Sequence, residues 1–413
     1  GCTNCIKRCP TEAIRVRDGK AHILAERCID CGECIRICPH HAKKPLYDPL
    51  TILDDFKYTI ALPPPSLYGQ YNNLEEQDVV LAALLDMGFD DVYEVAKAAE
   101  LVSDATRRIL QTGSIERPEI SSACPAVTRL IRVRFPQLID HVLPLVAPIE
   151  LAARLAKKEA VRRTGLPKED IGCIFITPCP AKVTAIRNPI GHETSQVSGA
   201  ISILEIYGLL SGLLKKPCLP EDDTGFRATA LGVGWARTGG EATAAGIQNA
   251  LAVDGIEHVA KVLEEIENNH LSGLSFFEGM ACVGGCVGGP LVFENVFIAR
   301  NRIRELLFRL PKLRPEENIS DAEMEALQRD VRLDRPIEPV KAMQLDKNLQ
   351  EALKKWSGWR RYAGACPGWT AVPAVRPAVK PWPRISCRAT PTRWTAYSCS
   401  RPGCGIWPSN WSS

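Results

Sequence analysis

Apolar and polar positions change rhythm several times along the chain, and each change marks an element. Tyr58-Thr-Ile-Ala-Leu62 is a short continuous apolar run closed by Pro63, Pro64 and Pro65, which predicts a buried strand and the start of a parallel α/β unit. Val79 to Met87 takes helical spacing, Asp91 to Val95 follows the break at Gly88, and Ala96 to Leu110 is helical again. Ile171 to Thr177 reads as a strand running directly into Pro178-Cys179, and Leu274 to Phe277 leads toward Cys282. Near the beginning, Ala13 to Val16 and Lys20 to Leu24 flank Asp18-Gly19, a hairpin turn signal. Glu323 to Lys355 is charged and helical in spacing, with a linker marked by Pro336 and Pro339.

Composition adds bounds to that picture. A chain of 413 residues, 45% hydrophobic, can bury one large core plus a small module. No run approaches about 18 apolar residues, and Val142 to Ile149 is cut by Pro144 and Pro148, so no membrane span is expected. No signal peptide is visible; the chain opens at Gly1, and its true start is expected to lie upstream. The formal net charge of +3 hides two parts: from Trp356 onward seven Arg, one Lys and no acid carry +8, leaving residues 1–355 at −5. A mildly acidic body does not support a nucleic-acid or membrane partner.

Cysteine supplies the chemistry. Of 17 cysteines, eleven fall in metal-ligand patterns, which points to a reducing, cytoplasmic setting. Residues 28–39 read C-I-D-C-G-E-C-I-R-I-C-P, the full C-x2-C-x2-C-x3-C-P run that wraps a 4Fe-4S cube in bacterial two-cluster ferredoxins. Residues 2–10, C-T-N-C-I-K-R-C-P, are the same run without its first cysteine, expected just upstream of Gly1. In such runs the fourth thiolate reaches across to the other cluster, so Cys28, Cys31, Cys34 and Cys9 are assigned to one cube. Cys2, Cys5 and Cys38 with the lost cysteine are assigned to the other. Zinc is the alternative, weakened because zinc sites seldom share ligands between two such runs. Cys173, inside an apolar strand, and Cys218 read as packing thiols rather than ligands.

Three further segments carry a resemblance. Ser121-Ser-Ala-Cys-Pro125, Thr177-Pro-Cys-Pro-Ala-Lys182 and Glu278-Gly-Met-Ala-Cys-Val-Gly-Gly-Cys-Val-Gly-Gly-Pro290 resemble, in order, the three signatures of the iron-only (FeFe) hydrogenase large subunit, over roughly residues 58–310. The resemblance implies that Cys124, Cys179, Cys282 and Cys286 hold a 4Fe-4S cube. Cys286 would also bridge to a diiron unit carrying CO, cyanide and an azadithiolate, the two parts together forming the H-cluster. It further implies that Lys182 hydrogen-bonds a cyanide and that Met280 packs near the diiron unit. The residue chemistry agrees: a cube needs four thiolates, a lysine suits an anionic ligand, and Gly284, Gly285, Gly288 and Gly289 let backbone approach a bulky cofactor. Thr238-Gly239-Gly240, ahead of a helix expected from Glu241, also looks like a loop of that family.

Departures from the pattern bear on rate. Fast members of the family carry, before the first ligand, a second cysteine that passes protons to the bridge; here that position is Ala123, and a methyl group relays no proton. Val127 and Thr177 replace a usual Trp and Met, and the partner carboxylates of a relay are not placed by sequence, Glu94 and Glu100 being candidates. Such changes resemble the sensory hydrogenases. The expectation is therefore slow interconversion of H2 with two protons and two electrons, used to sense H2 or redox state, with electrons relayed by the ferredoxin-type clusters. Implied partners are H2 and protons, with a ferredoxin-like electron-transfer protein or a signalling protein such as a kinase or phosphatase. The alternative is a cube-only electron-transfer or assembly protein lacking the diiron unit.

The expected fold class is α/β, α+β overall. Residues 1–44 form a 2x(4Fe-4S) ferredoxin-type domain truncated at its start, and 45–57 a linker. Residues 58–320 form a two-lobed α/β H-cluster domain with the metal site between lobes, and 321–355 a linker or helical segment. Residues 356–413 hold seven of the eight Trp and no acid, a composition read as a frameshift near Lys355 and expected to be disordered. Read one base earlier, codons straddling Thr370/Ala371, Pro373/Ala374, Ala378/Val379 and Thr395/Ala396 can encode C-x2-C-x4-C-x16-C, a further 4Fe-4S pattern. Cys366, Cys387, Cys399 and Cys404 are accordingly left unassigned.

Overall fold

The computed structural model describes residues 2–72, 74, 76–214, 227–312, 321–340, 350, 351 and 353. The described residues up to Val340 form one compact unit. Cys218 and the tail from Trp356 lie outside the described residues.

The first segment is small and turns sharply. Helix α1 (Asn4–Lys7) leads to strands β1 (Ile14–Arg17) and β2 (Lys20–Ile23), which pair antiparallel with Ile14 opposite Ile23. The turn sits at Asp18-Gly19, both at positive φ, as the hairpin signal predicts. Helix α2 (Glu33–Arg36) follows, inside the second cysteine run.

The large segment is built on two parallel sheets. The strands are β3 (Tyr58–Leu62), β4 (Asp91–Val92), β5 (Glu119–Ile120), β6 (Ile171–Thr177), β7 (Gly199–Ser202), β8 (Ala250–Asp254) and β9 (Phe276–Met280). One sheet has the order β4-β3-β6-β7 and the other β5-β9-β8, every pairing being parallel. Parallel strands need crossovers, and helices supply them: α3 (Asp78–Asp86), α4 (Val95–Thr112), α5 (Pro125–Arg134), α6 (Pro148–Thr164), α7 (Pro180–Arg187) and α8 (Ile203–Leu213). Then come α9 (Ala230–Gly234), α10 (Gly240–Ala244), α11 (Ile256–Glu267), α12 (Val296–Arg309) and α13 (Asp321–Asp330).

Because side chains alternate across a strand, each sheet feeds two cores. Ile60, Leu62, Ile171, Cys173 and Phe175 face one core with α4 and α6, whereas Ala61, Ile174 and Ile176 face another with α3, α8 and α12. In the second sheet Phe276 joins the first core, while Phe277 joins a third with Leu130 and Ile131 of α5 and Val259 and Leu263 of α11. The core shared by Phe175 and Phe276 holds the lobes together, each buried phenyl contributing on the order of 2 kcal/mol by burial. Among the described residues no helix is long and apolar enough to cross a membrane.

Candidate metal centre

Three strands end at the same place, and each hands over a cysteine. Strand β5 runs into Ser121-Ser-Ala-Cys124, β6 into Pro178-Cys179, and β9 into Ala281-Cys282 and on to Cys286. Carboxyl ends of parallel strands are where an open α/β sheet leaves a crevice. Cys124 and Cys179 each occupy the N-cap position of a helix, α5 and α7, whose first residue is proline. Proline presets the helical φ without needing a donor, and the helix N-terminus favours a negative sulfur.

The loops lock onto one another through the backbone. Leu291 N donates to Pro178 O at 3.0 Å, and Val287 N to Ala236 O at 3.2 Å. A Cβ on Gly289 would lie 2.2 Å from Pro178 O, and one on Gly285, at φ +91°, would lie 2.8 Å from Thr238 N. Gly285 and Gly289 therefore let one protein loop touch another. The Thr238-Gly239-Gly240 loop is the platform: Asp254 Oδ2 accepts from Thr238 Oγ1 at 2.8 Å and from Gly284 N at 3.1 Å. Helix α10, expected from Glu241, is present but short. Thr177 uses its hydroxyl in the Cys179 turn, donating to Cys179 O at 2.8 Å and accepting from Cys179 N at 3.2 Å.

Cys124, Cys179, Cys282 and Cys286 line one cavity together with Lys182, Met280 and Ala123. The space between these walls, mouth included, is about 910 Å³. Burial pushes the Cys179 thiol up, and the neighbouring Cys282 pushes it further; Cys282 itself is raised to about 11, again chiefly by burial. Cys286 is raised by burial against the opposing pull of Lys182. Burial alone would lower the Lys182 ammonium, yet the surrounding sulfurs, Cys286 first, raise it. Lys182 makes no carboxylate ion pair among the described residues. Buried thiols that raise one another become thiolates only against positive charge, which Lys182 supplies in part and a bound metal cluster would supply in full. The donor set of four sulfurs from three loops around open space fits a 4Fe-4S cube.

A second cavity lies beside the first. Cys9, Cys28, Cys31 and Cys34 line it together with Pro180, Val183 and Arg187 of α7. Cys2, Cys5 and Cys38 do not line it, and Cys2 is exposed. Cys31 borders both cavities, and its thiol is raised by burial first and then by Cys282 and Cys9. Cys173 lies elsewhere, fully buried in the first core with its Sγ 3.9 Å from Ala153 O, and burial raises it to about 12.

Three polar residues on the first cavity were not singled out as proton carriers by the sequence. Ser121 Oγ donates to Glu241 Oε2 at 2.5 Å, and Glu278 accepts from Gly239 N at 2.9 Å and Ala242 N at 3.0 Å. Glu241 is raised to about 8, by burial first and by Glu278 second. Ala123 N donates to Ser121 Oγ at 3.2 Å, so this cluster adjoins Ala123. Glu94 and Glu100, the candidates from sequence, point elsewhere. Glu94 accepts from Tyr68 Oη at 2.7 Å and Ala228 N at 3.0 Å, Glu100 from Thr229 N at 2.7 Å, and neither lines the cavity.

Two parallel-sheet lobes around a thiol-lined cavity, with a cysteine-rich module beside it, are the features of an iron-sulfur protein. The family described as "iron only hydrogenase large subunit, C-terminal domain" matches residues 57–250 and 241–290, and the 4Fe-4S dicluster domain matches residues 1–39. The chain belongs to the iron-only hydrogenase large subunit family, with an N-terminal 4Fe-4S dicluster domain. It is 24% identical over 375 residues to the periplasmic Fe hydrogenase large subunit of Nitratidesulfovibrio vulgaris, covering 75% of this chain and 88% of that one. It is 23% identical over 348 residues to the NADP-reducing hydrogenase subunit HndD of Solidesulfovibrio fructosivorans, covering 68% of this chain and 58% of that longer protein. An apo FeFe-hydrogenase from Chlamydomonas reinhardtii shares the fold with a TM-score of 0.53 at 14% identity, over 68% of this chain and 94% of that one.

Proposed function

We propose that this chain activates H2 slowly, at an H-cluster held in the first cavity, and reports H2 or redox state rather than processing H2 in bulk. The observation that carries the reading is the convergence of Cys124, Cys179, Cys282 and Cys286 on one cavity with Lys182 among them. In this reading the four thiolates of Cys124, Cys179, Cys282 and Cys286 would hold the group, which would supply the metal-centred exchange of H2 with protons and electrons when bound. Lys182 Nζ offers charge and a donor to an anionic ligand of that group, and Met280, 7% exposed, helps keep water out.

Proton and electron traffic follow from the same walls. Glu241, raised by burial and by Glu278, can hold a proton at its carboxyl near neutral pH, with Ser121 Oγ against Oε2. Ala123 breaks the line between that proton and the cavity centre, which is why turnover is slow. In the ferredoxin-type module, Cys9, Cys28, Cys31 and Cys34 hold one cube, and Cys2, Cys5 and Cys38 contribute to the other. Cys31, on the wall common to both cavities, is then the short route for electrons. A ferredoxin-like donor or a signalling protein is the partner in this reading, and residues 1–44 and 58–320 are the two functional domains.

Infrared spectroscopy of the full chain after maturation tests the proposal. The expected result is CO and cyanide bands that change under H2, with turnover far below that of bulk H2-processing enzymes. A spectrum without those bands overturns the proposal in favour of a cube-only electron carrier, and fast turnover overturns the sensing role.

A further inference from the structure

We propose that His192 is an acid-sensitive latch: its neutral ring seats the strap of residues 331–340 on the body of the chain, and its protonation lets the strap lift. The strap follows α13 and is held by main-chain bonds on two sides. Val146 N donates to Val331 O at 2.9 Å and Leu333 N to Pro144 O at 3.0 Å, while Asp334 N and Arg335 N both donate to Gly191 O, at 2.8 and 2.9 Å. Gly191, at φ +80°, has no room for a Cβ, which would lie 2.7 Å from Leu333 Cδ1. His192 is the next residue, and its side chain is only 10% exposed.

The surroundings suit a neutral ring. His192 Nδ1 is buried with no hydrogen-bond partner among the described residues. Nε2 lies 3.7 Å from Glu150 Oε2, too far for a hydrogen bond. That carboxylate is already engaged: Oε2 accepts from Ser195 Oγ at 2.6 Å, and Oε1 from Gln196 N at 3.0 Å and Arg154 Nε at 3.4 Å. The charged groups facing the ring are Glu150 and Arg154 of α6 and Asp334 of the strap. Arg154 also holds the strap itself, donating to Asp330 O at 2.8 Å and Asp334 Oδ2 at 3.3 Å. Lys158 pairs with Asp330, and Arg335 with Glu193, adding further charges along the seam.

Protonation makes both ring nitrogens donors, so the Nδ1 proton would be buried without an acceptor. Burial opposes the charge first and Arg154 adds to it; Glu150 and Asp334 pull the other way, and the ring is held below its ordinary value of 6.5. Lifting the strap lets water reach Nδ1. As pH falls through about 6.5 the lifted form takes up a proton before the seated form does, so acid favours lifting. The strap also backs the first cavity: Leu145, which pairs antiparallel with Arg332, accepts at its carbonyl from Ser122 Oγ at 2.8 Å, in the turn that leads to Cys124. Release of the strap therefore frees the outer side of that turn.

Hydrogen–deuterium exchange of the reconstituted full chain at pH 5.5, 6.5 and 7.5, corrected for the intrinsic rate at each pH, tests the latch. Ordinary carboxylates titrate below this window. Peptides carrying the Val146, Leu333, Asp334 and Arg335 amides are expected to exchange about tenfold faster at pH 5.5 than at pH 7.5, the change that one linked proton allows over that range, while β6 stays protected. His192→Gln and His192→Phe do not titrate, so in both the seam is expected to exchange at one rate across the window, with β6 showing that each variant is folded. Equal corrected rates at pH 5.5 and 7.5 in the unaltered chain overturn the proposal. A pH response that persists in either variant overturns His192 as its cause. A rise shared by β6 is acid unfolding of the whole body and overturns local release.

Discussion

Replacing Glu241 by glutamine isolates the buried carboxyl pair at the cavity wall. Glu278 receives two backbone N–H donors that favour its charged form, whereas Glu241 receives only the Ser121 hydroxyl, so Glu241 is the one of the two that more readily holds a proton. Glu241 moves from 4.5 to about 8 on folding, raised first by burial and next by Glu278. Between those values the folded chain keeps a proton that the unfolded chain has released, so stability falls as pH rises; the cost is absent below 4.5 and complete above about 8. The steepest slope for one such group is about 1.4 kcal/mol per pH unit. Urea unfolding of the reduced chain at pH 6, 7 and 8, under anaerobic conditions, measures that slope directly. Glu241→Gln keeps the shape and an acceptor for Ser121 but cannot ionise, so its slope should be shallower by about 1 kcal/mol per pH unit near pH 7. Identical slopes in the two proteins would refute the reasoning.

Two other substitutions separate packing from ligation. Gly289→Ala places a methyl group against Pro178 O and should cost roughly 1–3 kcal/mol in urea unfolding while lowering iron content, because the Cys179 and Cys286 loops are forced apart. Cys173→Ala removes a core sulfur and should cost about 1–2 kcal/mol with the iron content unchanged; a loss of iron would show that this thiol is more than packing.

What the sequence discloses depends on how local the cause is. Strands β3 and β6 fall where their apolar runs place them, because a strand buried on both faces needs apolar residues at every position. The hairpin at Asp18-Gly19 is local turn chemistry and is legible for that reason. Strand β5 is two residues long and is held by β9 rather than by its own pattern, so periodicity gives no sign of it. The cysteines are legible through spacing and adjacent prolines. The hydrogen bond from Arg36 to Gly288 O is not, since the two residues lie 252 positions apart. Glu241 and Glu278 stand in or beside legible motifs, the Gly239-Gly240 loop and the Met280 signature, but the hydrogen bonds that bring Glu278 to the Gly239 loop are a tertiary fact. Glu94 and Glu100 are candidates by residue type alone; in the fold they accept from Tyr68, Ala228 and Thr229.

The most direct measurement is the iron content and paramagnetic spectrum of four single variants, Cys124→Ala, Cys179→Ala, Cys282→Ala and Cys286→Ala, in the otherwise unaltered chain. If three loops hold one cluster, each variant loses or alters the same signal and leaves the ferredoxin-type signals in place. Variants that affect different signals, or none, would contradict the shared centre.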